Sequence, residues 1–169
     1  RRLLGVQIVG AEDAALRIDV AATALSGGLT VDEIVMLDLA YAPPYGSAKD
    51  PVTMVGLVGS NVLDGTTRHW YAQDLDTVLR EALVLDVRRQ DEYDRGHLPG
   101  ALLVAHTELR ARIDEVRTAA AGRPVRIHCA AGVRSYLAHR ILDQAGFDSA
   151  TLSGGWQTLL AFHGKDILE

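Results

Sequence analysis

The segment Arg126-Ile-His-Cys-Ala-Ala-Gly-Val-Arg-Ser135 constrains the fold of this chain more than any other. An apolar run from Pro124 to Ile127 leads into it and reads as a buried strand. A helical pattern follows, with Leu137, Ile141 and Leu142 on one face and Gly146 as its stop. Cys129, the only cysteine in 169 residues, therefore falls where a strand ends, a short loop turns and a helix begins. Backbone N–H groups in such a loop are unpaired, and a helix start adds partial positive charge. A thiol held there ionises easily, and the thiolate is the nucleophile. A plain core cysteine needs no loop carrying Gly132 and Arg134 into a helix.

The chain has the length of one domain or two small ones, and its 48% hydrophobic content is enough for a core. It shows no apolar run of membrane-spanning length and no secretory signal pattern. One cysteine excludes an internal disulfide framework and fits a reducing compartment, so a cytoplasmic location is expected. The net charge of −5 and the lack of a basic run argue against nucleic acid as a partner. No residue cluster suggests a metal. Arginine supplies 15 of the 17 basic residues, which with the many alanines hints at a GC-rich bacterial genome.

The pattern divides the chain at about residue 65. In residues 1–65, Leu3 to Val9 reads as an apolar strand, and Ala11 to Leu25 as a helix stopped by Gly27-Gly28. Thr30 caps a second helix with Asp32 and Glu33 in its first turn. Two prolines make Tyr41-Ala-Pro-Pro-Tyr-Gly-Ser47 a rigid turn. Asp50 caps a helix from Pro51 to about Asn61. This is too little strand for a complete sheet, and the chain opens on Arg1-Arg2, so a fragment that begins inside a domain is expected. Leu63-Asp-Gly-Thr-Thr67 reads as a linker.

In residues 66–169, strands are expected at Ala82 to Val87, Leu102 to Val104, Val125 to His128 and Ala150 to Leu152. Thr107 is expected to cap a helix with Leu109, Ile113 and Val116 on one face. Helices between short buried strands imply an α/β fold, a parallel sheet flanked by helices on both faces. Sites in such sheets lie at the carboxyl ends of strands, where Cys129 falls.

The cysteine segment resembles two families. Protein tyrosine phosphatases carry His-Cys, five residues, Arg and then Ser or Thr. Rhodaneses often carry Cys-x-x-Gly-x-Arg. Only four residues, Ala130, Ala131, Gly132 and Val133, separate Cys129 from Arg134. A phosphate ring must enclose a tetrahedral group, whereas a tighter ring suits one sulfur on the cysteine. The count favours sulfur transfer. Through further signatures residues 66–169 resemble a rhodanese-homology domain: Leu85-Asp-Val-Arg88, Asp91-Glu-Tyr93 with Gly96-His-Leu-Pro-Gly-Ala101, and Leu152-Ser-Gly-Gly-Trp156. The resemblance implies that Cys129 accepts a sulfane sulfur and passes it on, within an active-site loop of Ala130, Ala131, Gly132, Val133 and Arg134.

Supporting roles follow more loosely. Asp86 ends a strand near the site and either orients the loop or acts in the chemistry. Arg88 either contacts an anionic donor or pairs with Asp91 or Glu92. Arg134 either holds the loop or attracts an anionic donor. His97 is expected in a turn, and His128 is expected to pack or to bond backbone. Gly132 lets the chain turn inward, and Gly154-Gly155 permits close approach beside the loop.

Residues 1–65 carry another resemblance. Leu3-Leu-Gly-Val-Gln-Ile-Val-Gly10, Arg17-Ile-Asp-Val-Ala-Ala-Thr23 and Tyr41-Ala-Pro-Pro-Tyr-Gly-Ser-Ala-Lys-Asp-Pro51 are similar to the C-terminal, α+β dimerisation domain of pyridine nucleotide–disulfide oxidoreductases, in the coenzyme A-disulfide reductase branch. The resemblance implies the partial dimerisation domain of a reductase fused to a rhodanese domain. It implies FAD, NAD(P)H and coenzyme A for the full-length protein, a homodimer, and thiosulfate, persulfides or coenzyme A thiols as sulfur partners. It also implies that Tyr41 serves as a proton donor in the partner subunit's active site; a tyrosine packed in a Pro-rich turn is the other reading. No cofactor is expected in this chain, which lacks a Gly-x-Gly-x-x-Gly loop and a second cysteine. A non-catalytic dimerisation or regulatory module, and a phosphatase or arsenate reductase on the same scaffold, are the alternatives.

Overall fold

The computed structural model describes residues 1–10 and 13–169. They form two compact units, Arg1–Thr66 and Thr67–Glu169.

The first unit holds helices α1 (Ala14–Ser26), α2 (Val31–Val35) and α3 (Pro51–Leu63). The expected start of α1 at Ala11 lies outside the described residues. The caps are those the sequence implies. Thr30 forms a capping box with Glu33 at the start of α2, and the Asp50 carboxylate accepts from the Val52 N–H at the start of α3. Asp50 also pairs with the buried Arg17 at 3.2 Å. Ala24, Ile34 and Val52 form the core. The expected strand over Leu3 to Val9 does not form. An apolar run becomes a strand only where a neighbour completes its hydrogen-bond ladder. Among the described residues the segment pairs only at its start, with an isolated antiparallel bridge between Arg2 and Thr30. Leu4 and Val9 are left about nine-tenths exposed, at 89% and 90%.

The second unit is an α/β fold. Its strands are β1 (His69–Trp70), β2 (Leu83–Asp86), β3 (Leu102–Leu103), β4 (Val125–His128) and β5 (Ser149–Leu152). All pair in parallel, in the order β1-β5-β4-β2-β3. Its helices are α4 (Leu75–Glu81), α5 (Gln90–Tyr93), α6 (Ile113–Ala120), α7 (Val133–Gln144) and α8 (Gly155–His163). Side chains alternate across the sheet. Leu83, Leu85, Val125 and Ile127 join Val116, Ala138 and Leu142 in one core. Val84, Ala150 and Leu152 join Val78, Leu98 and Leu159 in the other. Burial on both faces is why β2 and β5 are buried at every position.

Chain progression reverses between β2 and β4, whose register pairs Asp86 with His128. The residues that follow these two strand ends therefore sit side by side at the switch point of the sheet.

Two expectations for this unit are corrected, and one strand was not expected. The helix expected from Thr107 begins at Ile113 with Arg112 as its cap. Residues 106–112 are turns, closed by the Ala111 and Arg112 N–H groups on the Glu108 carbonyl. Leu109 reaches the core from that turn, so the apolar spacing runs unbroken across a backbone break. The buried face of α7 is Ser135, Ala138, His139 and Leu142, whereas Leu137 is exposed. Polar residues line the buried stripe, which misdirects a reading based on apolar spacing. Finally, β1 is two residues long and carries no periodicity of its own. It is anchored by Trp70, whose indole N–H donates to the Ile127 carbonyl at 3.1 Å.

Candidate functional site

Val125, Ile127 and Cys129 alternate onto one face at the end of β4, which buries the thiol to 1% exposure. The loop that follows is held from two sides. On one side, α8 supplies N–H groups from its first turn. Trp156 N donates to the Cys129 carbonyl at 2.8 Å and Gln157 N to the Ala130 carbonyl at 3.3 Å. A trans peptide sends its N–H opposite to its C=O, so anchoring these carbonyls turns the next N–H groups into the loop. The approach is close. A Cβ on Gly155 would stand 2.7 Å from the Ala130 oxygen, and Gly155 has φ of +66°.

On the other side, Gly132 (φ +125°) reverses the chain into α7. Its N–H lies 3.2 Å from the Cys129 Sγ. Ser135, one turn into α7, has its hydroxyl 3.5 Å from the same sulfur. That hydroxyl donates to the Gly132 carbonyl at 2.9 Å and accepts from Thr151 Oγ1 at 2.7 Å. Burial pushes the Cys129 thiol up, but the Ser135 hydroxyl and the N–H groups of Ser135, Gly132 and Ala131 outweigh it. The thiol ends below its ordinary range.

Arg134 does not point freely at the sulfur. Its guanidinium makes a two-pronged pair with Glu92, Nη1 to Oε2 at 2.6 Å and Nη2 to Oε1 at 2.8 Å. Glu92 holds Arg134 above its ordinary value, against burial, and the Cys129 sulfur adds to the rise. Arg134 in turn brings Glu92 down to about 2.

Asp86 and Arg88 form a buried pair beside the loop rather than a pair with Asp91 or Glu92. Asp86 is 0% exposed and Arg88 3%. Asp86 accepts from the Arg88 N–H at 3.0 Å and from Arg88 Nη2 at 2.6 Å. Arg88 Nη2 also donates to the Gly96 carbonyl at 2.9 Å, and its guanidinium lies 4.1 Å from the Trp156 ring centroid. The pair thus braces the α8 turn that holds the cysteine loop. The Arg88 guanidinium is engaged by Asp86, the Gly96 carbonyl and the Trp156 ring.

His128 packs, with its ring 5.3 Å from that of Trp156 in a stacked arrangement. Neither ring nitrogen has a hydrogen-bond partner among the described residues, and Nε2 lies 3.7 Å from Asp86. Burial takes its pKa down to about 4, so the ring is neutral at neutral pH. His97 belongs to a turn, stacked on Tyr93 at 3.7 Å with its backbone paired to Glu169.

Cys129, the loop from Ala130 to Arg134, Asp86 and Arg88 are thus brought together in one unit. Tyr41 lies in the other unit and is 53% exposed. Sequence reasoning left out Ser135, Thr151, Glu92 and Trp156 as site residues. Ser135 had a signal, since the phosphatase-like pattern ends in Ser or Thr after the arginine. No group of His, Cys, Asp and Glu able to hold a metal ion occurs among the described residues. None of their helices is long and apolar enough to cross a membrane.

A parallel sheet with a cysteine loop at its switch point, rimmed by backbone N–H groups and an arginine, defines an α/β protein built around a cysteine-bearing loop. Residues 67–161 match the profile of the rhodanese-like domain, and the chain belongs to that family. The crystal structure of reduced Bacillus anthracis CoADR-RHD is similar at a TM-score of 0.86 and 35% identity, over 92% of this chain and 28% of that one. The NAD-dependent persulfide reductase from A. fulgidus is similar at a TM-score of 0.76 and 37% identity, over 88% of this chain and 26% of that one. The coenzyme A disulfide reductase of Staphylococcus aureus (strain JH9) is 46% identical over 56 residues, which is 33% of this chain and 13% of the relative. The chain thus spans 28% or less of each of these three proteins.

Proposed function

We propose that the second unit is a sulfurtransferase working through a persulfide on Cys129. The Cys129 thiolate attacks the sulfane sulfur of a donor such as thiosulfate or an organic persulfide. A new S–S bond forms to Sγ as the donor's S–S bond breaks, and sulfite or a thiolate leaves with the electron pair. An acceptor thiolate or cyanide then attacks the outer sulfur and returns Cys129 as thiolate. The N–H groups of Ala131 and Gly132 and the Ser135 hydroxyl stabilise the negative sulfur throughout, as an oxyanion hole stabilises oxygen.

The observation that carries this reading is the Gly132 N–H at 3.2 Å from a thiol whose acidity is raised. The four-residue gap to Arg134 supports a ring sized for one sulfur rather than for phosphate. Likeness to a persulfide reductase and to CoADR-RHD supports the same chemistry in a larger protein. In that protein we assign residues 1–65 to dimerisation, Tyr41 to proton donation across the dimer, and FAD, NAD(P)H and coenzyme A to the whole homodimer. Exposed Leu4, Val9, Leu16 and Met36 in the first unit support a surface made for association. The lone, unpaired cysteine supports a reducing, cytoplasmic setting.

The test is mass spectrometry after exposure to a sulfane donor, alongside thiosulfate-to-cyanide transfer. The wild type should gain the mass of one sulfur and turn over. Cys129→Ser should do neither, because a hydroxyl cannot carry sulfane sulfur. Transfer surviving in Cys129→Ser, or Cys129-dependent hydrolysis of a phenyl phosphate, would overturn the reading.

A further inference from the structure

Glu92 lies outside the loop yet controls the loop's only arginine. Both of its oxygens are spent on Arg134, at 2.6 and 2.8 Å, and one of them also accepts from the Arg89 N–H at 3.1 Å. The other charged side chains nearby are also paired, though not one to one, since two arginines share Asp91 and Arg89 lies 3.9 Å from Glu92 as well. Arg88 is matched by Asp86 at 2.6 Å. The exposed Arg89 pairs with Asp91 at 2.9 Å, and Arg95 also pairs with Asp91. The side chains that follow the loop on the outer face of α7, Val133 and Leu137, are apolar and exposed.

We infer that Glu92 sets donor selectivity by holding Arg134 as a neutral pair, so that Cys129 favours sulfur donors of low charge over dianionic oxyanions such as thiosulfate. The inference rests on the sulfur-transfer reading and adds the class of donor to it. A dianion approaching a thiolate needs a cation to offset the repulsion. Here it must take that cation from a carboxylate already bound in fork-to-fork geometry. A monoanionic or neutral persulfide carries less repulsion and needs no such exchange. The carboxylate stays ionised at any working pH, so the pairing does not lapse near neutrality. Glu92 touches neither sulfur nor donor. It is a positioning residue that acts through Arg134.

Two measurements test this on the full chain. Cys129 is the only cysteine, so alkylation reports on it alone. Iodoacetate and iodoacetamide both add carbon to the thiolate as iodide leaves, and they differ in charge. The ratio of their rate constants cancels any change in thiol acidity. For the wild type, the acetate-to-acetamide ratio should match that of mercaptoethanol and respond little to salt. In Glu92→Gln, which keeps the shape and frees the Arg134 charge, the ratio should rise roughly tenfold and fall back as salt is added. The thiosulfate-to-benzenethiosulfonate ratio of kcat/KM, a dianion against a monoanion, should rise in parallel.

A wild-type ratio tenfold above mercaptoethanol would overturn the inference, even if the variant failed to fold. So would a folded Glu92→Gln in which both ratios stay at wild-type values, or in which both donors lose rate equally. Absence of Cys129-dependent transfer from either donor in the wild type would instead sink the sulfur-transfer reading. The alkylation ratio would then still decide whether Glu92 neutralises the site.

Discussion

Ser135 and Thr151 meet between α7 and β5 with their hydroxyl oxygens 2.7 Å apart, and the Ser135 oxygen lies 3.5 Å from the Cys129 sulfur. The Ser135 oxygen has a single proton, which it gives to the Gly132 carbonyl while Thr151 donates to it. A protonated Cys129 can only donate to that oxygen. A thiolate instead needs the Ser135 proton turned towards it. Ionisation of the cysteine is therefore coupled to rotation of one hydroxyl, with Thr151 holding the oxygen in place.

Ser135→Ala should raise the Cys129 pKa. The side-chain hydrogen bond is the largest of the effects that lower it, and three backbone N–H groups remain. The midpoint of iodoacetamide alkylation against pH should move up by about one unit. The variant also leaves the buried Thr151 hydroxyl without its acceptor, at a stability cost of about 1–3 kcal/mol. An unchanged midpoint would mean that the backbone alone sets the acidity.

Asp86→Asn should be strongly destabilising. It leaves Arg88, at 3% exposure, as a buried cation without its counter-charge. Breaking such a pair from one side costs about 3–5 kcal/mol, read as a shift in the urea midpoint. Because Arg88 also packs on Trp156, which holds the Cys129 carbonyl, sulfur transfer should fall with it. Normal stability with lost activity would instead make Asp86 a participant in the chemistry.

His128 predicts a pH window for stability. Its folded pKa is depressed to about 4, mainly by burial, from an ordinary 6.5. The unfolded chain therefore binds a proton between pH 6.5 and 4 that the folded chain does not. The stability associated with a neutral ring is fully present above pH 6.5 and is lost as pH falls towards 4. The loss amounts to about 3 kcal/mol at the lower end. His128→Leu should flatten urea-derived stability across that window. Retention of the wild-type slope in the variant would assign the effect to other groups.

The sequence carried the second unit well because its signals are local. Strand β4, the loop and the Gly146 stop each follow from a few adjacent residues, and so does the placement of Asp86 and of Cys129 each at a strand end. What it carried poorly depends on partners far along the chain. Leu3 to Val9 has the composition of a strand but finds no ladder among the described residues. The stripe that α7 buries is polar at Ser135 and His139, and these pair with Thr151 and Ser149 on β5. No helical periodicity in residues 133–144 reveals that. The Arg134–Glu92 pair joins residues 42 apart, so the charge state of the site had no local signature. Gly155 is intermediate. A double glycine announces close approach, but only the fold shows that the approach is to Ala130.

Gly155→Ala should uncouple α8 from the cysteine loop. Two independent costs coincide there. The backbone sits at φ +66°, which L-residues other than Asn and Asp rarely adopt. The new methyl would also stand 2.7–2.8 Å from three backbone atoms of Ala130 and Ala131, which cannot rotate away as a side-chain tip can. Something must shift, and the hydrogen bonds from Trp156 and Gln157 to the Cys129 and Ala130 carbonyls are the contacts in its path. With those carbonyls released, the Ala130 and Ala131 N–H groups in the same peptide planes lose their orientation, and the Ala131 N–H is one of those that lower the thiol. The variant should lose a few kcal/mol of stability, as strained backbone and overpacking together imply. It should also show a raised alkylation midpoint for Cys129 and a large drop in sulfur transfer. Gly100→Ala is the control, since it has φ of +68° but open space at its Cβ. It should lose stability without changing the acidity of Cys129. Equal shifts of the alkylation midpoint in both variants would mean that general loosening, rather than the α8 anchor, governs the thiol.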